Sequence, residues 1–195
     1  MLNLCAPSEG EFEEKKSRFL AFLVAFDDFE STMETLRTEH KKANHFVWAF
    51  RRMNEQGRVE EGSSDDGEPS GTSGPPCLRV LQGYELIDAA VIVVRFFGGT
   101  KLGTGGLVKA YTEATRTAIL NARTEPFIRQ YEASFFVPFR EISHLEYLVS
   151  RHEVTTLDRQ FGAEGAEVSL KGSLENLNAV LGALGETLHD PDEPG

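Results

Sequence analysis

The 195 residues predict an α+β protein built in two parts. Residues 89–97 (AAVIVVRFF) are β-branched and nearly continuously apolar, the look of a central strand covered on both faces. Residues 29–42 and 107–122 carry apolar side chains at helical spacing. After Pro126 the pattern restarts as β-α-β-β-α, which resembles a split βαβ unit lacking its last strand. The boundary falls near 127–132, giving an N-terminal domain over 1–128 and a C-terminal domain over 132–190.

The elements follow in order. Residues 17–26 (SRFLAFLVAF) are apolar and bounded by charge, a buried strand. Asp27 and Asp28 offer an N-cap, and Phe29, Met33 and Leu36 at i, i+4, i+7 carry a helix to about Lys42. Residues 46–50 (FVWAF) are a second strand. Residues 54–76 (NEQGRVEEGSSDDGEPSGTSGPP) are rich in Gly, Pro and Ser and are expected to be a loop. Pro75 and Pro76 open a short helix over 77–84. Residues 98–106 (GGTKLGTGG) form a glycine-rich loop ahead of the helix at 107–122, whose inward stripe is Leu107, Ala110, Tyr111, Ala114 and Ala118. In the second part, strands are expected at 134–139, 154–161 and 166–170, with helices at 141–152 and 173–188. Residues 189–195 (HDPDEPG) are too polar and proline-rich for a final strand.

Composition narrows the function classes. Apolar residues make up 40% and charged residues 26%, ordinary globular values that exclude wholesale disorder. The net charge of −11 is uneven, with −8 of it on residues 131–195. Residues 95–129 run the other way: Arg95, Lys101, Lys109, Arg116, Arg123 and Arg129 face only Glu113 and Glu125. An acidic chain repels polyanions at long range, so a phosphate partner must be held by such a local patch. Cys5 and Cys77 match no metal-ligand spacing and are too few for a disulfide framework, which fits a reducing compartment. Residues 1–18 show no secretory h-region, and no apolar run approaches the ~18 residues of a membrane span. A cytoplasmic protein without membrane association is expected.

The strand, glycine loop and helix at 91–122 carry the chemistry. Glycine lets backbone N–H groups approach an anion, and a helix N-terminus adds about half a positive charge. Gly98, Gly99, Gly103, Thr104, Gly105 and Gly106 would line such a site, with Arg95, Lys101, Lys109 and Arg116 as its cations. The plainer reading is a tight connection with solvated lysines. Neither a Walker A loop (GxxxxGK[ST]) nor a dinucleotide fingerprint (GxGxxG) is present. Accessory candidates are His45 and Arg51 around FVWAF, and Asp65, Asp66, Glu68, Ser70 and Thr72 in the long loop. The three carboxylates can be read as a cation site bridging to phosphate or as a structural turn, and the turn is favoured. Cys77 as a nucleophile lacks a declared base. No catalytic set, metal site or cofactor motif is expected.

Four stretches resemble the IMPACT/YigZ family: Lys15 to Phe19 (KKSRF), Ala43 to Phe50 (ANHFVWAF), Asp65 to Gly74 (DDGEPSGTSG) and Arg95 to Leu107 (RFFGGTKLGTGGL). The last two, in this order and separation, are highly specific. The likeness spans roughly residues 12–125 and is fainter beyond. Phe46 departs from the family's smaller or polar residue, and Ser73 from its frequent Ala. The resemblance implies an N-terminal domain like the second domain of small-subunit ribosomal protein five, a fold shared with domain IV of elongation factor G and with GHMP-type kinases. It implies a ferredoxin-like C-terminal domain similar to domain V of that factor. Eukaryotic members regulate translational initiation by competing for the activator of a stress kinase. They use an additional RWD domain that has no counterpart in these residues.

The expected function is therefore binding of RNA or the ribosome, with a modulating role in translation, and no enzymatic activity. The alternative is an enzyme or sensor that binds a small phosphorylated ligand or nucleotide through the glycine loop and a divalent cation. A protein partner docking on Phe96, Phe97 and the long loop is a third reading.

Overall fold

The computed structural model describes residues 1–54 and 56–185, and the chain divides into two compact units, Met1–Phe127 and a second beginning at Ile128. The first unit runs β1 (Leu2–Leu4), β2 (Ser8–Glu14), β3 (Ser17–Ala25), α1 (Phe29–Glu39), β4 (His45–Met53), β5 (Val59–Ser64), α2 (Gly74–Gly83), β6 (Ala89–Phe96), α3 (Gly103–Asn121) and β7 (Thr124–Pro126). A five-stranded antiparallel sheet has the order β2-β3-β6-β4-β5, and β1 pairs separately with β7.

Strand periodicity sorts the apolar side chains into two layers. Phe19, Ala21 and Leu23 of β3, Val47 and Ala49 of β4, and Val91 and Val93 of β6 face α2 and α3. Phe46, Ile92 and Val94 face the other way, packing with Leu36 of α1 and, at their margin, Phe22, Phe29 and Met33. Residues 89–95 of β6 are all buried, as its unbroken apolar run requires of a central strand. Each fully buried aliphatic side chain contributes about 1.5–3 kcal/mol, so this strand anchors the unit.

The structure departs from the sequence reading at several places, four of which bear on the site and its sheet. Residues 59–64, expected within a loop, form the edge strand β5 against β4, where Glu60 and Glu61 meet Arg52 and Arg51 across the pair. Residues 8–14 form the opposite edge strand β2, with Gly10 packed so closely on α3 that a Cβ would lie 2.3 Å from the Ala118 nitrogen. The α1 helix stops at Glu39, and Asp28 gives it no side-chain cap. Helix α3 starts at Gly103, so half of the expected glycine loop is its first turn.

The second unit contains β8 (Tyr131–Pro138), α4 (Phe139–Arg151), β9 (Val154–Phe161), β10 (Gly165–Gly172) and α5 (Leu174–Ala183). Its antiparallel sheet has the order β8-β10-β9. Val137, Val168 and Leu170 from the sheet join Leu145 of α4 and Leu177 and Val180 of α5 in one core, so both helices cover one face. Ser173 caps α5, its hydroxyl accepting from the Asn176 N–H at 3.1 Å. The reading of residues 189–195 as strandless lies outside the described residues.

Candidate functional site

The C-terminal end of β6 sets the site. Continuing the alternation of Val91 and Val93, Arg95 points to the α3 side of the sheet, between its cross-strand neighbours Phe19 and His45. Its side chain is only 7% exposed. The guanidinium lies 5.4 Å from the Phe19 ring centroid and 5.8 Å from that of Phe97. Such a buried charge needs a partner, and Glu68 supplies it. Glu68 Oε1 accepts from Arg95 Nη1 and from the Tyr111 hydroxyl, the latter at 2.8 Å. Burial raises the Tyr111 pKa, and the negative charge of Glu68 raises it further, so the phenol remains a donor.

Glu68 reaches this position because the loop between β5 and α2 is wired from inside. The Asp65 carboxylate accepts from the Gly71 N–H at 2.7 Å, the Ser73 N–H at 3.0 Å, the Ser73 hydroxyl at 2.7 Å and the Gly74 N–H at 2.9 Å. Burial opposes ionisation of Asp65, but these four donors outweigh it and hold its pKa below the usual carboxylate value. Asp66 adopts φ +43° and accepts from the Phe46 N–H at 2.6 Å, with Arg37 3.7 Å away. The Asp66 carbonyl lies 2.8 Å from His45 Nδ1, and a carbonyl can only accept, so Nδ1 carries the proton. His45 Nε2 then faces Glu68 Oε1 at 3.9 Å.

This wiring fits the favoured structural-turn reading of the three carboxylates and not the cation alternative. Asp65, Asp66 and Glu68 point to three different sets of internal donors, and among the described residues no group of three His, Cys, Asp or Glu could hold a metal ion. Thr72 is likewise structural, its hydroxyl donating to the Pro69 carbonyl at 2.6 Å, while Ser70 is exposed. Arg51 belongs to the β4–β5 edge, paired with Glu61 at 2.7 Å and donating to the Leu86 carbonyl at 2.9 Å.

Above the Arg95–Glu68 pair lies a cleft of about 370 Å³, walled by Pro69, Phe97, Leu102 and Leu107 and rimmed by Lys101, Gly103 and Thr104. Helix α3 opens onto this cleft. Its first four N–H groups have no intrahelical partner, and its N-cap Leu102 offers no side-chain cap. Gly99 and Gly103 have φ of +89° and +74°, and a Cβ on Gly99, Gly103 or Gly105 would meet open space. Gly98 differs: a Cβ there would lie 2.1 Å from the Lys16 carbonyl carbon, and its N–H donates to the Ser17 hydroxyl at 3.0 Å. Gly98 therefore locks the β2–β3 turn onto the end of β6, while Gly103 and Gly105 leave the helix N-terminus uncovered.

The structure thus brings Arg95, Lys101, Gly103, Thr104 and Glu68 together. It does not bring Lys109 and Arg116 there. Lys109 Nζ lies 3.6 Å from Glu14 and 5.9 Å from the Phe12 ring centroid, and Arg116 is bound to Glu113 through two nitrogens. Four residues stand differently from their sequence reading. Tyr111 looks like one more residue of an apolar helical stripe. Phe97 pairs with Phe96 as a contact surface in the sequence, yet it alone is exposed, at 46%. Lys15 and Lys16, both exposed with positive φ, form the turn whose backbone abuts Gly98.

Comparison with known proteins gives a consistent assignment. The family model of the Impact N-terminal domain matches residues 15–119, which hold Glu68, Arg95, Lys101 and Tyr111. An IMPACT family member of Haemophilus influenzae is 31% identical over 91% of this chain and 82% of its own length. The IMPACT family member YigZ of Escherichia coli is 33% identical over 81% of this chain and 79% of its own. A crystal structure of a protein described as hypothetical matches with a TM-score of 0.77 and 28% identity, covering 94% of this chain and 90% of the other. The chain belongs to the IMPACT family.

Proposed function

We propose that this protein binds single-stranded RNA, in a translation-related role, through the cleft at the N-terminus of α3. One observation carries the reading. An uncapped helix N-terminus, the exposed Lys101 and the exposed Phe97 ring share one cleft. The helix end and Lys101 suit a phosphate, and the ring suits a base. Base–aromatic stacking contributes about 1–3 kcal/mol per base and tolerates any sequence. The net charge of −11 repels RNA at long range, so a local cation such as Lys101 is needed to hold it. The ribosome is the expected cellular source of that RNA, and the cytoplasm the expected compartment. No described helix is long and apolar enough to cross a membrane.

We infer the folds of the two units as well. The first unit takes the fold of the second domain of small-subunit ribosomal protein five. The second is ferredoxin-like, supported by the order β8-β10-β9 with both helices on one face.

Fluorescence anisotropy with a labelled RNA, alongside ribosome co-sedimentation at two ionic strengths, tests the function. Binding should weaken with salt, and Phe97→Ala and Lys101→Ala should each reduce it several-fold. Salt-insensitive binding, unaffected by either substitution, would overturn the proposal.

The size of the cleft favours a second reading, a small phosphorylated ligand, since about 370 Å³ lies within the range of ligand pockets. A thermal-shift screen with nucleotides separates the two. A ligand at 100 times its Kd stabilises by about 2.7 kcal/mol, and silence across the panel rejects this reading.

A further inference from the structure

We infer that the cleft selects ribose over deoxyribose, with Glu68 and Arg95 together reading the 2′-hydroxyl of the bound nucleotide. This rests on the RNA-binding reading above. Arg95 is 6% exposed and lines the cleft, yet among the described residues its buried Nε has no hydrogen-bond partner, while Nη1 is engaged by Glu68. Glu68 lines the same cleft. Its Oε1 serves both Arg95 and Tyr111, while Oε2 accepts no hydrogen bond among the described residues. The floor therefore carries an unfilled donor on Arg95 and an open acceptor on Glu68, the two residues that line it together. Buried polar groups ordinarily find partners, so the unfilled Nε of a residue that lines the cleft points to a ligand group.

The chemistry of that group follows from charge and position. Arg95 and Glu68 cancel one another, so the floor gives a phosphate no advantage over the rim, where Lys101 and the α3 N-terminus lie. An uncharged group that donates and accepts at once satisfies both sides, and a hydroxyl does so. In a nucleotide the sugar links phosphate to base. With the phosphate on the rim and the base on Phe97, the sugar falls over the floor between them, and Pro69, Leu102 and Leu107 offer apolar walls to its carbons. The 2′-hydroxyl is the group there that both donates and accepts, and it is what separates RNA from DNA.

The test uses the full chain and three labelled strands: hexauridylate, its deoxyuridine counterpart and its 2′-O-methyl counterpart. The wild-type protein should bind the ribose strand about tenfold more tightly than either of the others, the effect of one hydrogen bond to a charged acceptor. Glu68→Gln should bring the ribose-to-deoxyribose ratio toward one while both strands still bind. The wild-type ratio decides the matter even if that variant folds poorly. Equal wild-type affinity for ribose and deoxyribose strands overturns the inference and leaves the RNA-binding proposal standing, whereas failure of all three strands to bind overturns both. Uridine monophosphate against deoxyuridine monophosphate distinguishes the source of the nucleotide. Ribose preference in the strands supports the inference as stated, and preference in the monophosphates alone overturns it.

Discussion

The Tyr111 hydroxyl donates to Glu68 Oε1 at 2.8 Å, the oxygen that Arg95 also engages. Helix α3, the end of β6 and the loop before α2 thus meet on a single carboxylate atom that is almost wholly buried.

The two arms of that network differ in strength. Glu68→Ala leaves the Arg95 guanidinium buried without a counter-charge, and breaking one side of a buried ion pair costs about 3–5 kcal/mol. Tyr111→Phe removes one hydrogen bond to a charged acceptor, about 1.5–3 kcal/mol. Urea denaturation should rank Glu68→Ala as the more damaging. The reverse order would show that the phenol, not the ion pair, anchors the loop.

Asp65 predicts an acid-dependent loop. Its pKa is lowered on folding from the ordinary 3.8, because the donors from Gly71, Ser73 and Gly74 overcome the opposing effect of burial. A carboxylate lowered in this way contributes stability that is complete above its unfolded-state value and is lost as pH falls through the folded one. Asp65→Asn should therefore be less stable than wild type at neutral pH, with the gap narrowing below 3.8. Stability curves for the two proteins, run from neutral pH down through that value, check this, and a constant gap would remove Asp65 from the account.

Much of this architecture is legible in the residues, and the illegible parts have physical causes. The β6 run and the α3 stripe stand out because burial on one or both faces imposes apolar periodicity. Strand β2 is hidden because Glu9, Glu11 and Glu13 occupy its outer face and Gly10 gives its inner face no side chain to show. Strand β5 is hidden because its stability comes from pairing with β4, not from its own polar residues. At the site, Arg95 and Lys101 are visible as cations on a glycine loop. Glu68 reads as a solvated turn residue because its burial depends on Arg95, 27 residues further along the chain. Lys109 is misplaced because its partner Glu14 lies on β2, far away in sequence, whereas the i, i+3 pairing of Arg116 with Glu113 could have been read from helical spacing.

The glycines of the motif separate folding from binding. Gly98→Ala puts a Cβ 2.1 Å from the Lys16 backbone, which cannot yield without opening the β2–β3 turn. Overpacking of this kind costs about 1–3 kcal/mol or more. Gly105 lies in the first turn of α3, where an added methyl group would meet open space, so Gly105→Ala should gain up to about 1 kcal/mol from helix propensity. The same methyl narrows access to the helix N-terminus. Thermal unfolding together with RNA titration should show Gly98→Ala destabilised and Gly105→Ala stable but weaker in binding.

The cysteines should differ sharply in reactivity. Cys77 is fully buried, and burial pushes its thiol up to about 12, whereas Cys5 is exposed. The thiolate is the reactive form, so Cys77 has almost none at neutral pH. An aromatic disulfide reagent should titrate one thiol in the native protein and both in denaturant. Rapid native reaction of both would mean that α2 opens readily from the sheet.

The cations on α3 and its loop offer the most direct check on the site. Lys101 is exposed on the rim of the cleft, while Lys109 and Arg116 are each matched with a carboxylate elsewhere on the surface. A lysine that neutralises a phosphate releases counterions, so its loss lowers the slope of log K against log salt by about one. Lys101→Ala should reduce the slope by that amount and weaken RNA binding across sequences. Lys109→Ala and Arg116→Ala should leave the slope close to wild type, because neither side chain reaches the cleft. If all three substitutions reduce the slope equally, the RNA lies along the exposed face of α3 and not across its N-terminus.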